Sequence, residues 1–341
     1  MKAAIYNPYL DTLGGGERYS MAIANVLAKS GYKVFVQWQD VTIKGKLEER
    51  FGIKLNDIEF VEDIKRGDGY DVCFWVSDGS IPFLSARKNF LHFQVPFQEV
   101  SGNTLINKIK FFRIKKVICN SLFTKKIVDN EYAVDSIVLY PPVDIKKFKT
   151  SKKEKIILFV GRFSNLLQAK GQDILIDVFK RFSDLNGSGW KLILAGGVEV
   201  GAEELIYKLL KQSENYNVEI VKKPTFIELK KLYAKAKFFW SAAGFDIDES
   251  KDPKKVEHFG ITVVEAMAAG CVPIIFNAGG HKEIISNAID GFLWNTKSEL
   301  INITEKLTKD NIYSKTIAKE AQERSKNFSY ENFENKFILL L

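Results

Sequence analysis

Two glutamates, Glu257 and Glu265, are separated by seven residues in the segment KVEHFGITVVEAMAAG. The Phe259-Gly260 turn between them predicts that a short helix follows, over 261–269. Backbone N–H groups at a helix N-terminus lack intrahelical acceptors, and the positive end of the helix dipole favours an anion there. Two carboxylates beside an anion-binding turn suit a ligand with both hydroxyls and phosphates, as a nucleotide-sugar has.

Two cations follow the predicted strand 155–160. Arg162 lies just after this strand, and Lys170 precedes the predicted helix 171–182. Together they could hold a diphosphate, because arginine binds phosphate oxygens in bidentate fashion and lysine acts as a point charge. Two solvated surface cations are the alternative, and these residues alone leave both readings open.

A glycine loop follows the first predicted strand and opens a helix. Gly14, Gly15 and Gly16 would let the backbone approach a ligand closely, and the helix start would offer N–H donors. The pattern is not G-x-G-x-x-G, and no acidic residue ends the second strand as a dinucleotide site requires. A loop that contacts a substrate is favoured over a plain flexible turn.

His92 ends a predicted strand, 90–93, in the first half of the chain. A lone histidine near apolar residues is more often a structural group than a functional one. Its place at the carboxyl end of a strand also permits contact with a ligand, so both roles stay open.

The sequence Asp246-Ile247-Asp248 resembles the D-x-D metal motif that occurs in some sugar transferases. It lies in an extended loop, 242–255, that contains charges of both signs. A chance match in a solvated loop is the favoured interpretation, so no metal site is predicted.

The segment 104–116, TLINKIKFFRIKK, mixes apolar side chains with lysines and an arginine. It could lie on a membrane surface that carries a lipid-linked acceptor. It could equally form a helix that packs its apolar face on the sheet and leads into strand 116–119. Both alternatives remain open from the sequence.

The 341 residues suggest two domains, since single cores rarely exceed about 250–300 residues. Strand-like runs alternate with helical patterns, which predicts parallel sheets covered by helices. The Tyr140-Pro141-Pro142 turn and the charged stretch after it predict a boundary, with domains at 1–150 and 151–327. The expected fold class is α/β, with two doubly wound, Rossmann-like domains facing each other across a cleft.

The net charge of +8 would suit nucleic acid, anionic lipid or a phosphorylated substrate. Lysine is spread along the whole chain, however, and no nucleic-acid recognition module is present. We therefore expect no nucleic-acid partner.

Several features predict a cytoplasmic protein. No run of 18 apolar residues could span a bilayer, and the N-terminus lacks the core of a signal peptide. Cys73, Cys119 and Cys271 have no metal-type spacing and are expected to be buried, reduced thiols. Peripheral contact with the cytoplasmic face of a membrane would come from 104–116.

At these motifs the chain resembles glycosyltransferase family 4, the retaining enzymes with the GT-B fold. The resemblance spans nearly the whole chain, and its specificity comes from the order and spacing of the parts. The EHFGI form is similar to that of mannosyltransferases acting on lipid-linked oligosaccharides. The matching segments are the loop 14–16, the strand end at His92, CNSLFTKKI at 119–127, LYPPVDIKKF at 139–148, VGRF at 160–163, KGQ at 170–172 and EHFGITVVEAMAAG at 257–270.

The resemblance implies a role for each charged residue. Arg162 and Lys170 would hold the donor diphosphate and neutralise the charge that develops as it leaves. Glu265 would bind the ribose hydroxyls, and Glu257 would face the transferred sugar. His92 would contact the sugar and help to orient the acceptor. No metal or other cofactor is implied, because cations and helix dipoles take over that role.

Backbone segments would complete the donor site, and the last segment, 328–341, would cross back onto the first domain. The glycine loop would lie against the diphosphate, and the segment at 221–222 would contact the base. The expected donor-binding residues are Gly14, Gly15, Gly16, Val221, Lys222, Phe259, Gly260, Ile261, Thr262 and Glu265.

Two departures from the family pattern are visible. The loop 242–255 is longer than the usual link before the first glutamate, and we expect it to shape the acceptor side of the site. The first domain is compact, so insertions that bind acceptors in other members are expected to be missing.

The leading hypothesis is transfer of a hexose from a nucleoside-diphosphate sugar, of the GDP-mannose or UDP-glucose type, to an acceptor hydroxyl with retention. The acceptor would be a glycan or a lipid-linked saccharide. A nucleotide-sugar epimerase or a phosphorylase on the same fold is the alternative enzyme. A basic nucleic-acid-binding protein is the alternative outside enzymes.

Overall fold

The computed structural model describes residues 1–164, 169–186 and 189–341. These residues form two compact units. The first unit contains 1–142 and 330–341, and the second contains 143–329. The change of unit falls before the boundary predicted at 150, because Phe148 packs against Phe226 and Tyr233 at ring-centroid distances of 5.9 and 5.6 Å.

The first unit is a seven-stranded parallel sheet flanked by helices. Its strands are β1 (Lys2–Tyr6), β2 (Lys33–Gln37), β3 (Ile58–Val61), β4 (Val72–Val76), β5 (Lys88–Phe93), β6 (Ile114–Cys119) and β7 (Ile137–Val138). The helices between them are α1 (Gly15–Lys29), α2 (Ile43–Phe51), α3 (Leu105–Phe111) and α4 (Leu122–Tyr132).

The described part of the second unit repeats this plan with a six-stranded parallel sheet. Its strands are β8 (Glu154–Val160), β9 (Lys191–Gly196), β10 (Val218–Lys222), β11 (Ala236–Ser241), β12 (Val272–Phe276) and β13 (Phe292–Trp294). Its helices are α5 (Gln172–Asn186), α6 (Glu203–Gln212), α7 (Phe226–Lys235), α8 (Ile261–Ala268), α9 (His281–Ile284), α10 (Lys297–Lys309) and α11 (Asn311–Ser325).

The strand orders explain where each unit can hold a ligand. The first sheet runs β3-β2-β1-β4-β5-β6-β7, and the second runs β10-β9-β8-β11-β12-β13. In each sheet the chain adds strands on one side of its first strand and then on the other. The strand order therefore reverses between β1 and β4 in the first sheet and between β8 and β11 in the second. In open α/β sheets, ligands bind at the carboxyl ends of the strands beside such a reversal. The predicted α/β class with two doubly wound parallel sheets is confirmed.

Burial follows the hydrophobic pattern. Strands such as VCFWV and EKIILFV are largely buried, as expected when helices cover both faces of a parallel sheet. Helix α12 (Tyr330–Ile338) adds Phe333 and Phe337 to the core of the first unit. All three cysteines are buried and free, and burial raises the pKa of the Cys73 and Cys119 thiols to about 12.

The structure contradicts the expectation that the apolar face of segment 104–116 packs on the sheet. Helix α3 has no buried residue, and Leu105, Ile106, Ile109 and Phe112 are 76%, 61%, 51% and 90% exposed. These side chains therefore do not pack on the sheet. The other part of that alternative agrees with the structure, because helix α3 leads into strand β6, which begins at Ile114. Among the described residues, no helix is long and apolar enough to span a bilayer.

Candidate active site

The start of α8 depends on a glycine. Gly260 has a φ of +113°, a backbone conformation that side chains disfavour. A Cβ there would also lie 3.1 Å from His281 Cδ2 and 3.3 Å from Ile284 Cδ1. The glycine therefore permits both the turn and the close approach of α9 to the N-terminus of α8.

Glu257 and Lys170 meet beside this turn. Lys170 Nζ lies 2.9 Å from Glu257 Oε2, and the two side chains are 12% and 23% exposed. Gly171 has a φ of +67°, and a Cβ there would lie 2.8 Å from the backbone oxygen of Ala242, at the end of β11. The glycine therefore lets the residue before α5 approach the backbone that follows β11. The structure thus pairs two residues that were expected to bind different parts of the ligand.

The ion pair controls the ionisation of Glu257. Burial raises the pKa of this carboxyl, but attraction to Lys170 and His281 and the hydrogen bond from Lys170 lower it more, to about 2. Glu257 therefore carries its negative charge throughout the physiological pH range. A charged carboxylate can accept hydrogen bonds from sugar hydroxyls.

His281, at the start of α9, was not among the predicted site residues. It is 1% exposed, and its Nδ1 lies 3.1 Å from the backbone oxygen of Phe276, so Nδ1 donates and carries a proton. The edge of the imidazole ring that carries Cδ2 and Nε2 faces Gly260. Burial lowers the pKa of His281, whereas the Glu257 charge raises it. Its position after a buried strand and two glycines was the available signal.

Glu265 lies on α8 and is held by a tyrosine from α7. The Tyr233 hydroxyl donates a hydrogen bond to Glu265 Oε2 at 2.9 Å. Tyr233 is fully buried, and Glu265 is 6% exposed. No local pattern links these positions in the sequence, because they are 32 residues apart.

The other predicted donor contacts of the second unit lie at the ends of its elements. Arg162 follows β8 with an exposed side chain, and the Gln172 side chain donates to its backbone oxygen at 2.8 Å. Val221 and Lys222 end β10, partly exposed and exposed respectively. Phe259 is buried against Phe328, with ring centroids 5.4 Å apart. Ile261 and Thr262, at the first turn of α8, are partly exposed.

The first unit holds the glycine loop. Gly14 precedes α1, and its N–H donates to Glu17 Oε2 at 2.6 Å. Gly15 is the first residue of α1. Gly16 lies against the end of β5, because a Cβ there would be 1.7 Å from Gln94 Oε1. A larger residue at this position would displace the end of the Gln94 side chain.

His92 is a core residue of the first unit. It is fully buried, stacks on Tyr19 at 4.2 Å, and its Nδ1 lies 3.2 Å from the backbone oxygen of Ile118. Burial lowers its pKa to about 3, so the ring is neutral. Within the described part of the chain its Nε2 has no hydrogen-bond partner. The predicted contact with a sugar stays a prediction, since it requires Nε2 to become reachable.

The Asp246-Ile247-Asp248 sequence forms a turn. The Asp248 carboxylate accepts hydrogen bonds from the backbone and hydroxyl of Ser250 at 3.0 and 2.6 Å. Across the residues that the structure describes, no group of three or more His, Cys, Asp or Glu side chains could hold a metal ion.

Comparison with known proteins identifies the family. Residues 142–324 match the family "Glycosyl transferases group 1", which is more than half of the chain. The chain belongs to this family. A GDP-Man:Man(3)GlcNAc(2)-PP-Dol alpha-1,2-mannosyltransferase of Dictyostelium discoideum is 29% identical over 66% of this chain and 46% of that protein. An uncharacterized glycosyltransferase of Methanocaldococcus jannaschii is 29% identical over 63% of this chain and 56% of that protein.

The match thus covers about half the length of these two relatives. Among solved structures, Anabaena Alr3699/HepE in complex with UDP-glucose has a TM-score of 0.75 at 19% identity and covers 99% of this chain and 98% of that one. This likeness shows a shared fold over nearly the whole chain, and the fold is GT-B.

Proposed function

We propose that this group 1 glycosyltransferase moves a hexose from a nucleoside-diphosphate sugar to an acceptor hydroxyl, with retention at the anomeric carbon. The donor is of the GDP-mannose or UDP-glucose type. The name of the Dictyostelium relative supports the first, and the UDP-glucose in the Anabaena structure supports the second. The acceptor is a glycan or a lipid-linked saccharide.

The Lys170–Glu257 pair at the start of α8 is the observation that carries this proposal. It combines an ammonium, a charged carboxylate and a helix N-terminus, which match a diphosphate and the hydroxyls of a sugar. In the proposed complex Lys170 turns toward the diphosphate together with Arg162, while Glu257 accepts hydrogen bonds from the sugar. Glu265 binds the ribose hydroxyls.

The resemblance of the sequence to glycosyltransferase family 4 supports the remaining contacts of the proposal. The backbone of 259–262 contacts sugar and phosphate, the end of β10 contacts the base, and the loop 14–16 lies against the diphosphate. His92 orients the acceptor. We propose no metal or other cofactor, because the cations and the α8 dipole can stabilise the leaving diphosphate.

In the proposed reaction the bond between the anomeric carbon and the diphosphate oxygen breaks as the acceptor oxygen bonds to that carbon from the same face. The departing phosphate oxygen takes the proton of the acceptor hydroxyl, so no protein base is needed. Arg162 and Lys170 stabilise the charge that the diphosphate gains. Removing either cation should cost about 2–4 kcal/mol of transition-state stabilisation.

A thermal-shift screen with UDP, GDP, ADP and their sugars tests the donor, because a ligand that binds only the folded state raises its melting temperature. With the donor known, Arg162→Ala and Lys170→Ala should transfer sugar far more slowly than wild type. Lys208→Ala, exposed on the surface of α6, is the control cation. Wild-type rates in both variants, or a product with inverted configuration, would contradict the proposal.

We also propose that α3 and the residues after it dock on an anionic membrane. Leu105, Ile106 and Phe112 are exposed together with Lys108, which pairs apolar insertion with attraction to negative lipids. Ile106→Ser with Phe112→Ser should abolish sedimentation with vesicles of phosphatidylglycerol and phosphatidylcholine. Tyr207→Ser, exposed on α6, is the control. Equal sedimentation of the double variant and wild type would refute docking.

A further inference from the structure

The charged loop 242–255 contacts the turn that supports Glu257. Glu249 Oε2 accepts a hydrogen bond from the Gly279 backbone N–H at 2.7 Å. The other carboxylate oxygen of Glu249 forms an ion pair with Lys282. Gly279 follows β12 and Lys282 lies in α9, so one carboxylate fastens the loop to both ends of the Gly279–Gly280 turn.

This turn lies directly against the backbone of Glu257. The Gly280 N–H donates to the Glu257 backbone oxygen at 2.8 Å. A Cβ on Gly279 would lie 2.2 Å from that same oxygen, and a Cβ on Gly280 would lie 2.2 Å from the His258 oxygen. Because there is no space between the two segments, a shift of the turn must shift the backbone of Glu257.

The base of the loop is itself anchored. Phe245 packs against Phe276 and Trp294, with ring centroids 5.3 and 5.6 Å apart. Gly244 has a φ of +89° and lies against Val256 and Ala278, close to the other end of the loop. Glu249 thus extends from a fixed base, and its carboxylate can restrain the turn.

We propose that Glu249 is a positioning residue for the donor sugar. It holds the Gly279–Gly280 turn against Glu257, and this contact sets the place of the Glu257 carboxylate beside Lys170. The loop therefore serves the donor side of the site, in contrast to the acceptor side expected from the sequence. This inference rests on the proposed function of Glu257 as the group that faces the sugar.

Binding of a nucleotide with and without its sugar tests the inference. The probes are GDP with GDP-mannose and UDP with UDP-glucose, and the pair that stabilises wild type more is used in calorimetric titration. Glu249→Ala should weaken binding of the nucleotide-sugar roughly 10-fold, because misplacing a positioning group is costly, and should weaken binding of the nucleoside diphosphate much less. A merely destabilised fold would weaken both to the same extent.

Two further variants separate the two contacts of Glu249. Glu249→Gln keeps an acceptor for the Gly279 N–H and should stay within about threefold of wild type, since a neutral hydrogen bond replaces a charged one. Lys282→Met removes only the ion pair and should behave similarly. Asp248→Ala, in the same loop but bonded to Ser250, is the matched control and should bind both probes as wild type does.

Glu257→Ala distinguishes failure of the inference from failure of the proposed function. If Glu257→Ala binds the nucleotide-sugar as wild type does, the proposed role of Glu257 is wrong. If Glu257→Ala is impaired and Glu249→Ala is not, the positioning role is wrong. An equal loss of both probes in Glu249→Ala, or a loss in Glu249→Gln as large as in Glu249→Ala, would also overturn it.

Discussion

From the buried hydrogen bond between Tyr233 and Glu265 we predict a change in nucleotide affinity when the tyrosine hydroxyl is removed. Tyr233→Phe removes only the hydroxyl that donates to Glu265 Oε2. The carboxylate then loses one restraint, so we expect the Kd for UDP or GDP to rise roughly 10-fold, equivalent to a lost hydrogen bond to a charged group. Isothermal titration of the nucleoside diphosphate measures this change.

Tyr132→Phe is the control for this experiment. Tyr132 is also buried, and its hydroxyl donates to the Gly79 backbone oxygen at 2.6 Å in the first unit. It should lower the melting temperature without changing nucleotide affinity. Unchanged affinity in Tyr233→Phe would show that Glu265 keeps its place without the tyrosine or does not bind ribose.

From the lowered pKa of the Glu257 carboxyl we predict that the free energy of unfolding depends on pH. Its pKa falls from 4.5 to about 2 on folding, because attraction to Lys170 outweighs burial. A lowered folded-state pKa means that the stabilisation is complete above about pH 4.5 and is lost as pH falls from there toward 2. The loss is on the order of 3 kcal/mol for one site.

Denaturant unfolding of Glu257→Gln and wild type, at about pH 6 and about pH 3, measures this contribution. The difference between the two proteins should shrink at the lower pH. Glu204→Gln, an exposed partner of Lys208 on α6, is the control and should show a much smaller change, because water screens the exposed pair. A constant difference for Glu257→Gln at both pH values would argue against the ion pair.

At the residue scale, the sequence could identify groups whose type and local spacing report chemistry. Glu257, Glu265 and Lys170 were candidates because they follow strands or bracket a helix start. Their partners could not be derived in the same way. The Lys170–Glu257 pair spans 87 positions and the Glu249–Gly279 bond spans 30, so only folding reveals them.

At the scale of elements, the loop before α3 is held by one carboxylate. Glu131 on α4 accepts backbone N–H bonds from Glu99, Val100 and Gly102 at 2.9, 3.1 and 2.9 Å. Glu131→Ala should speed hydrogen exchange of these three amides, and Glu131→Gln should do so less. Mass spectrometry of exchanged peptides measures the rates.

The protection of this loop against hydrogen exchange should change with pH in the same direction as the stabilisation by Glu257. Burial raises the pKa of Glu131, but the three N–H bonds lower it more, so it lies below 4.5. The loop should therefore be protected above this pH and lose protection as pH falls below it. Asp135→Asn, whose carboxylate pairs with Lys125, is the control. Unaltered exchange in Glu131→Ala would show that other contacts hold the loop.

The segment 104–116 shows why an amphipathic pattern alone does not locate a helix. Its apolar residues fit either a core face or a membrane face, since both remove apolar surface from water. The helix ends at Phe111, and Phe112 is 90% exposed. The choice between the two faces depends on what neighbouring elements already cover, which periodicity does not encode.

At the scale of the whole molecule, the alternation of strands and helices was sufficient to predict two doubly wound sheets. Buried runs such as VCFWV and VPIIF are typical of parallel strands, and the right-handed crossover rule leaves few topologies. The change of unit was harder to place. Residues 143–150 belong with the second unit, where Phe148 packs against Tyr233, and 330–341 return to the first unit, where Phe337 packs against Phe74.

Helix α12 predicts that stability of the first unit depends on the last residues of the chain. Phe337 is fully buried and packs against Phe74 and Phe90, with ring centroids 6.2 and 5.7 Å away. Phe337→Ala should destabilise the first unit by about 3–5 kcal/mol, the usual cost of an aromatic cavity. Ile338→Ala, on the same helix and 44% exposed, should cost under about 0.5 kcal/mol.

Hydrogen exchange separates the two units in this experiment. In Phe337→Ala the amides of β4 and β5 should lose protection, whereas those of β8 and β9 should keep it, because Phe337 contributes to the core of the first unit alone. Equal loss of protection in both sheets would mean that the units unfold as one cooperative body. No loss in β4 and β5 would mean that α12 contributes little, and the helix would then be dispensable for the first unit.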